Sequence, residues 1–424
     1  MAMTITEKIL ARAAGKEKVI PGEVITARID VAMAHDVTSD DAIKIVETDF
    51  KGKIAENLKI VVTPDHYVPN KDIPSAILYQ NLMKFCDRHN LQHVYPVGEN
   101  YGVCHVMLPQ EGHILPGNVI VGADSHTCTY GALGAFATGI GSTELGNVFT
   151  TGELWFRVPE SYKFEIKGKL PKNTMAKDLF LRVVGDIGVD GALYQAMEWA
   201  GETINDLSVE ERMTLTNMAI EAGAKSGIIA PDQKTFDYVA QRSGRNAEAL
   251  LASALYSDDD ASYVATKRYD VSGLEPLVAK PYLPSNVVPA SELKDVRIDQ
   301  AYLGGCTGGK LDDFVAAAEV LKGEKKARHV RLLIVPSTQK IYRQITDSEM
   351  KDIFLDAGGV ISAPTCGACL GGYMGILAPG EVCISSTNRN FRGRMGHPES
   401  KVYLASPKTV AASAIAGHIQ GAEK

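Results

Sequence analysis

Nowhere does the sequence carry an apolar run long enough for a signal peptide or a membrane span. The opening MAMTITEKILARAAGKEK spaces Ile5, Ile9 and Leu10 as an ordinary amphipathic helix. A cytoplasmic protein without a membrane partner is the expectation. Basic residues are not in excess either: 44 Lys and Arg against 51 Asp and Glu leave a formal charge of −7. No broad positive field exists to hold a polyanion, which excludes nucleic acid as the main partner and leaves local basic groups for small anions. The cysteines do not form a disulfide scaffold, because seven of them, an odd number, are scattered through a long chain. G-x-G-x-x-G and G-K-S/T are both absent, so the glycine-rich stretch 130–152 (YGALGAFATGIGSTELGNVFTTG) reads as small residues permitting tight helix packing, not as a nucleotide cradle. The closely spaced run of four cysteines that a ferredoxin needs is also missing.

What is present describes a globular protein of several domains. The chain has 424 residues, 45% hydrophobic and 22% charged, too long for one ordinary core. Short β-branched runs at 59–63 (KIVVT), 118–122 (NVIVG), 331–335 (RLLIV) and 381–385 (EVCIS) read as buried strands. Between them lie helical patterns. In 311–321, Leu311, Phe314, Val315, Ala318 and Leu321 share one face and Gly323 offers a stop; another helix starts at Ser406 and Pro407 and runs to Gly417. Alternating strands and helices predict an α/β fold of three α/β domains with mainly parallel central sheets. Pro281, Pro284 and Pro289 mark 278–291 as a linker, and a further boundary falls before the strand-like YKFEIKG at 162–168. The expected domains are 1–160, 161–285 and 286–424.

Cys366 and Cys369 form a C-x-x-C pair in APTCGACLGG, after a strand-like segment and before an apolar helix-like one. Alone, the pair fits a redox dithiol, half a zinc site or chance. Cys306, in LGGCTGGKLDDF, is a third cysteine on a glycine-flanked turn at a helix start. Three thiolates on such turns make an open anionic cradle. No fourth sulfur closes it: Cys383 lies inside a strand-like run, and Cys86, Cys104 and Cys128 read as buried small hydrophobes. A cubane iron without a cysteine has a free coordination position and can act as a Lewis acid.

Titratable residues gather just beyond the expected strands. Asp65 and His66 follow one, Asp124, Ser125 and His126 a second, and Asn388, Arg389 and Arg394 a third. Ligands of open parallel sheets bind at the carboxyl ends of strands, so one shared site is expected. Asp–His neighbours suit proton transfer to a departing hydroxyl, and the arginines suit the carboxylates of a small di- or tri-acid. Lys310, after Cys306, adds to the same positive field.

GADSHTCTYGALGAFATGIGSTE, CGACLGG and SSTNRNFRGRMGHPESKVYLASP resemble the signature regions of aconitases, isopropylmalate dehydratases and homoaconitases, and the likeness runs from VAMAHDVTS near the start to the last helix. The resemblance implies aconitase-like domains one to three without the swivelling fourth. It implies a hydro-lyase that moves a hydroxyl between adjacent carbons through an alkene. Its cofactor would be one [4Fe-4S] cluster held by Cys306, Cys366 and Cys369, with one iron free of cysteine for substrate. By the same resemblance Asp65, His66, His105, Asp124, His126 and Glu221 are catalytic, and His35, Ser125, Asn217, Asn388, Arg389 and Arg394 contact substrate or cluster. The G-S-S-R-type motif of the swivel domain, which carries a serine base, is not found, so a small subunit supplying that domain and serine is the expected partner. The implied reaction is that of the 3-isopropylmalate enzymes of leucine biosynthesis, with homoaconitase or a 2,3-dimethylmalate or citramalate dehydratase as alternatives. A zinc or redox thiol protein without lyase activity is the rival of another class. One departure stands out: relatives usually read S-C-T-N-G-R around the first cysteine, whereas Gly308 and Lys310 stand here for the Asn and Arg.

Overall fold

The computed structural model describes residues 2–423. Three sheets organise the chain, each flanked by helices. The first is wholly parallel, with strands in the order His93–Val94, Lys59–Val62, Val31–Ala34, Val119–Gly122 and Phe136–Gly139. Its central strands are buried on both faces, which is why they read as continuous apolar runs. Val24–Arg28 and Glu153–Arg157 form a separate antiparallel ribbon, each with alternating exposed and buried residues.

The second sheet is also parallel, in the order Ser226–Ile229, Ala196–Ala200, Ser161–Lys167 and Ala265–Asp270. The third has seven strands: Val287–Pro289, Leu277–Ala279, Lys401–Ala405, Val382–Ser385, Gln300–Leu303, Arg331–Ile334 and Gly359–Ile361. Its last five are parallel, and the first two form an antiparallel hairpin at one edge. The proline-rich 278–291 segment thus contributes most of that hairpin; Pro289 ends an edge strand, where its missing N–H leaves no ladder bond unmade. The four expected strands and the helix Leu311–Leu321 form as read, and Pro407–Ala416 follows Ser406 and ends at Gly417 with φ 79°.

Two local expectations change. The C-x-x-C pair lies on a short 3-10 turn, Gly367–Leu370, and turns and bends follow in place of the expected helix, because Gly371 at φ 75° and Gly375 at φ 84° break it. In the glycine-rich stretch the chain forms a 3-10 helix Ser125–Leu133, the strand Phe136–Gly139 and the helix Ser142–Thr151. Gly131 has a packing reason: a Cβ there would lie 1.7 Å from the Gly227 carbonyl oxygen, so this crossing admits no side chain.

Candidate active site

Six strand ends supply the site. Beyond the first sheet, Val31–Ala34 leads into His35 and Asp36, Lys59–Val62 into Asp65 and His66, and Val119–Gly122 into Asp124, Ser125 and His126. Beyond the third, Gln300–Leu303 leads into Cys306, Gly359–Ile361 into Cys366 and Cys369, and Val382–Ser385 into Asn388 and Arg389. The two sets are tied together directly: Cys366 donates its backbone N–H to the Asp65 carbonyl at 2.8 Å, and the Thr365 hydroxyl donates to the carbonyls of Asp65 and His66.

Asp36 builds the turn that carries the first Asp–His pair. One of its oxygens accepts the N–H groups of Asp65 and His66 at 2.9 and 3.0 Å, and the other accepts that of Tyr67 at 2.7 Å. Within the turn, Asp65 meets His66 Nδ1 at 2.5 Å and also accepts the Cys104 N–H at 2.8 Å. Asp124 is the hub of the other residues: it lies 2.9 Å from His105 Nε2 and 3.5 Å from His66 Nε2, and it accepts the His126 N–H at 2.8 Å. His126 Nε2 in turn meets Glu221 at 2.9 Å, and the same Glu221 oxygen accepts Arg389 Nε at 2.8 Å. His35 stacks on His66 with centroids 4.1 Å apart. Ser125 stands between Asp124 and His126, half-buried, without a side-chain hydrogen bond among the described residues.

These contacts push the pKa values of the two stacked rings in opposite directions. Burial alone would discharge His66, but Asp65 and Asp124 override it and hold the imidazolium well above the ordinary histidine range. His35 goes the other way, since burial and the His66 charge both push its pKa down. Burial would raise Asp124, yet His105, His126 and His66 hold its carboxyl well below the usual range. For His126, burial and Arg389 are outweighed by Asp124 and Glu221, and the pKa rises.

Cys306, Cys366 and Cys369 are buried free thiols, and Asn388 bridges the first and the last. Its amide donates to Cys306 Sγ at 3.2 Å while its oxygen accepts from Cys369 Sγ at 3.4 Å. The same amide reaches the Asn217 oxygen at 3.2 Å, and Asn217 is pinned in turn by Thr129. The neighbouring Cys366 thiol, with Arg394 and His126 nearby, pulls the Cys369 pKa down, and that of Cys366 is raised. The Arg394 Nε is buried without an acceptor among the described residues, and its guanidinium is near enough to Cys369 to lower that thiol's pKa. Three converging sulfurs with an orphaned cationic donor fit an iron–sulfur cluster and do not fit a four-ligand structural zinc site.

All fifteen residues singled out from the sequence lie on this connected set of strand ends and adjoining helices. Sequence reasoning missed three others. Asp36 could have been found as the second acidic group just past a strand. Cys104 sits at the site with a thiol raised by burial and by neighbouring Asp65, which makes it a protonated donor. Lys177, in the first turn of helix Ala176–Ile187, donates to the Thr387 carbonyl beside Asn388, and burial pushes its pKa down to about 7; nothing in MAKDLF separates it from a surface lysine. Lys310 does not face outward as a free cation. Its buried ammonium is taken by Asp313 at 2.7 Å, the Thr307 carbonyl at 2.6 Å and Thr214 at 2.9 Å, which fixes the Cys306 turn to the helix Val209–Asn217. Gly308 is packed against Ser386, whose Cβ and Oγ would lie 2.3 Å from an added Cβ.

The chain also resembles known proteins along its whole length. The model of the Aconitase family (aconitate hydratase) matches residues 7–295 and 288–417, so the chain belongs to the aconitase family. It is similar to proteins named 3-isopropylmalate dehydratase large subunit. The one from Heliobacterium modesticaldum is 53% identical over 419 residues, covering 99% of this chain and 98% of the relative. That from Aquifex aeolicus is 53% identical over 424 residues, covering 99% and 96%. That from Desulfitobacterium hafniense is 52% identical over 425 residues, covering all of both chains. In fold the chain is similar to the crystal structure of Thermococcus kodakaraensis aconitase X (holo-form), with a TM-score of 0.53, 12% identity, and coverage of 98% of this chain and 100% of that one. No described helix is long and apolar enough to cross a membrane.

Proposed function

We propose that this chain is the large, cluster-bearing subunit of a 3-isopropylmalate dehydratase, a hydro-lyase that removes water from a substituted malate and adds it back across the neighbouring carbon. The observation that carries the reading is the meeting of Cys306, Cys366 and Cys369 with the Asp65–His66–Asp124 network, joined through the Cys366 N–H to Asp65 carbonyl bond. The three cysteines would hold one [4Fe-4S] cluster with one iron free of cysteine. When bound, that cluster supplies a Lewis-acidic iron for the substrate hydroxyl and a carboxylate.

The chain's own residues handle protons and charge. His66, kept cationic by Asp65 and Asp124, donates the proton with which the hydroxyl departs as water. Stacked His35, kept neutral, seals the inner face of that ring. Arg389, oriented by Glu221 through Nε, keeps both Nη groups for a substrate carboxylate; Arg394, Asn388, Asn217 and Ser125 line the same volume. His105 and His126 hold Asp124 ionised from the other side. The base that removes the carbon-bound proton would be a serine on the swivel domain of a small subunit. The names of the relatives support that partner, and we place the pair in the cytoplasm. The division into 1–160, 161–285 and 286–424 belongs to the same proposal: each range is centred on one sheet, although Leu277–Ala279 already pairs with strands of the third.

Gly308 and Lys310 favour keeping a second substrate open, a homocitrate or an alkylmalate such as 2,3-dimethylmalate or citramalate, because they change the packing behind Cys306. Co-expression with the small subunit and anaerobic assay against isopropylmalate, homocitrate, dimethylmalate and citraconate tests both readings. Turnover of isopropylmalate by the pair and none by the large subunit alone is expected. Turnover without a partner, or colourless protein carrying stoichiometric zinc and no iron, would overturn the proposal.

A further inference from the structure

Lys177 is an unusual cation. Its side chain is 1% exposed, yet among the described residues its ammonium has no ion pair, only the Thr387 carbonyl as acceptor. The other buried cations are matched: Lys310 has Asp313 and Arg212 has Asp232. Lys177 also stands in the first turn of its helix, where the backbone dipole disfavours positive charge. A buried ammonium without a counter-charge is strongly unfavourable and tends to lose its proton, so Lys177 stays cationic in the working protein only if something anionic faces it.

The groups around it narrow the choice. On its own helix, Asp178 already accepts the N–H groups of Met175 and Leu277. From the helix Leu311–Leu321, Asp313 is taken by Lys310, and Lys310 itself repels. From the Gly367–Leu370 turn comes Cys369, which after Asp313 exerts the strongest pull on the ammonium. Thr387, which Lys177 holds by its carbonyl, directly precedes Asn388, the residue that bridges Cys306 and Cys369.

We infer that Lys177 is a positioning residue for the cysteine cradle, fixing the Thr387–Asn388 turn and presenting a cation to the sulfurs once the bound cluster supplies its missing counter-charge. The inference rests on the proposed cofactor. A cation beside the cluster stabilises its reduced form, whereas in the apo-protein the same amine is buried without a counter-charge.

Two variants of the co-expressed, anaerobically reconstituted complex separate charge from shape. Lys177→Gln keeps a donor for Thr387 without charge, and Lys177→Met removes both. In an electron paramagnetic resonance redox titration, both should shift the cluster midpoint to more negative potential by at least about tenfold in the reduction equilibrium, about 59 mV for one electron. In thermal unfolding, the apo form of Lys177→Met should melt higher than wild-type apo-protein, while the gain on binding the cluster shrinks. A role in shape alone predicts that Lys177→Gln matches wild type in midpoint, and that result would overturn the inference, as would an apo form of Lys177→Met that melts lower. Failure of the wild-type complex to show any cluster signal would bring down the cofactor proposal and this inference with it, whereas a normal wild-type signal with unmoved variants would bring down the inference alone.

Discussion

Asp36→Asn is the sharpest probe of how the acid–base turn is held. The carboxylate accepts three backbone N–H groups, from Asp65, His66 and Tyr67. In the amide, one oxygen can still serve Asp65 and His66, but the nitrogen now faces the Tyr67 N–H, donor against donor. The loss is one charge-assisted hydrogen bond, about 1.5–3 kcal/mol, or about 10- to 150-fold in the population of the correctly held turn. Because Thr365 and Cys366 bond to carbonyls of that same turn, the damage reaches the cysteines. The expected result is a fall in kcat/KM of that order for the complete enzyme, together with less iron per chain after reconstitution. Asp36→Ala, which strands three donors, should be worse on both counts. An Asp36→Asn enzyme with kcat/KM and iron content within about twofold of wild type would refute this description of the turn.

Other expectations follow from the same contacts. Arg389→Lys loses the Nε bond to Glu221 and the paired Nη donors, so KM should rise about 10- to 150-fold with a smaller change in kcat, and unchanged KM would remove Arg389 from the substrate site. The folded-state pKa of His66 is raised, so the stability its charge confers is complete below the ordinary value of 6.5 and is lost only as pH rises through the raised one. Dehydration should therefore decline on an alkaline limb lying above pH 6.5, which His66→Gln abolishes along with most of kcat; a limb centred at or below 6.5 would contradict the network. Gly308→Asn, which installs the residue usual in relatives, should destabilise by about 1–3 kcal/mol through collision with Ser386. Urea unfolding of the apo-protein measures it, and a neutral result would mean that Ser386 moves aside freely.

The strand ends were legible because central parallel strands are apolar along their whole length, so the first polar residues after KIVV, VIVG and VCIS mark where ligands can approach. Cys366 and Cys369 were legible by spacing, and Cys306 by its glycine-rich turn. Asn217 and Glu221 were not legible by position along a strand: they come from the end of helix Val209–Asn217 and the 3-10 turn after it, and only the resemblance pointed to them. Asp36 and Lys177 stayed hidden for a different reason. Their roles are long-range hydrogen bonds to backbone groups 29 to 31 residues away for Asp36 and 210 for Lys177, and no local pattern encodes such a partner. The hairpin at 277–289 was read as a linker because prolines break helices, although an edge strand tolerates them equally well.

The central claim is that three sulfurs hold a cluster whose remaining iron is open to the hydroxy acid. Mössbauer spectroscopy of the anaerobically prepared, iron-57-labelled complex addresses it directly. One iron in four should give its own doublet, and that doublet alone should move when substrate is added, while Cys306→Ser abolishes the whole pattern. Four irons that respond identically to substrate, or a protein holding zinc in place of iron, would contradict it.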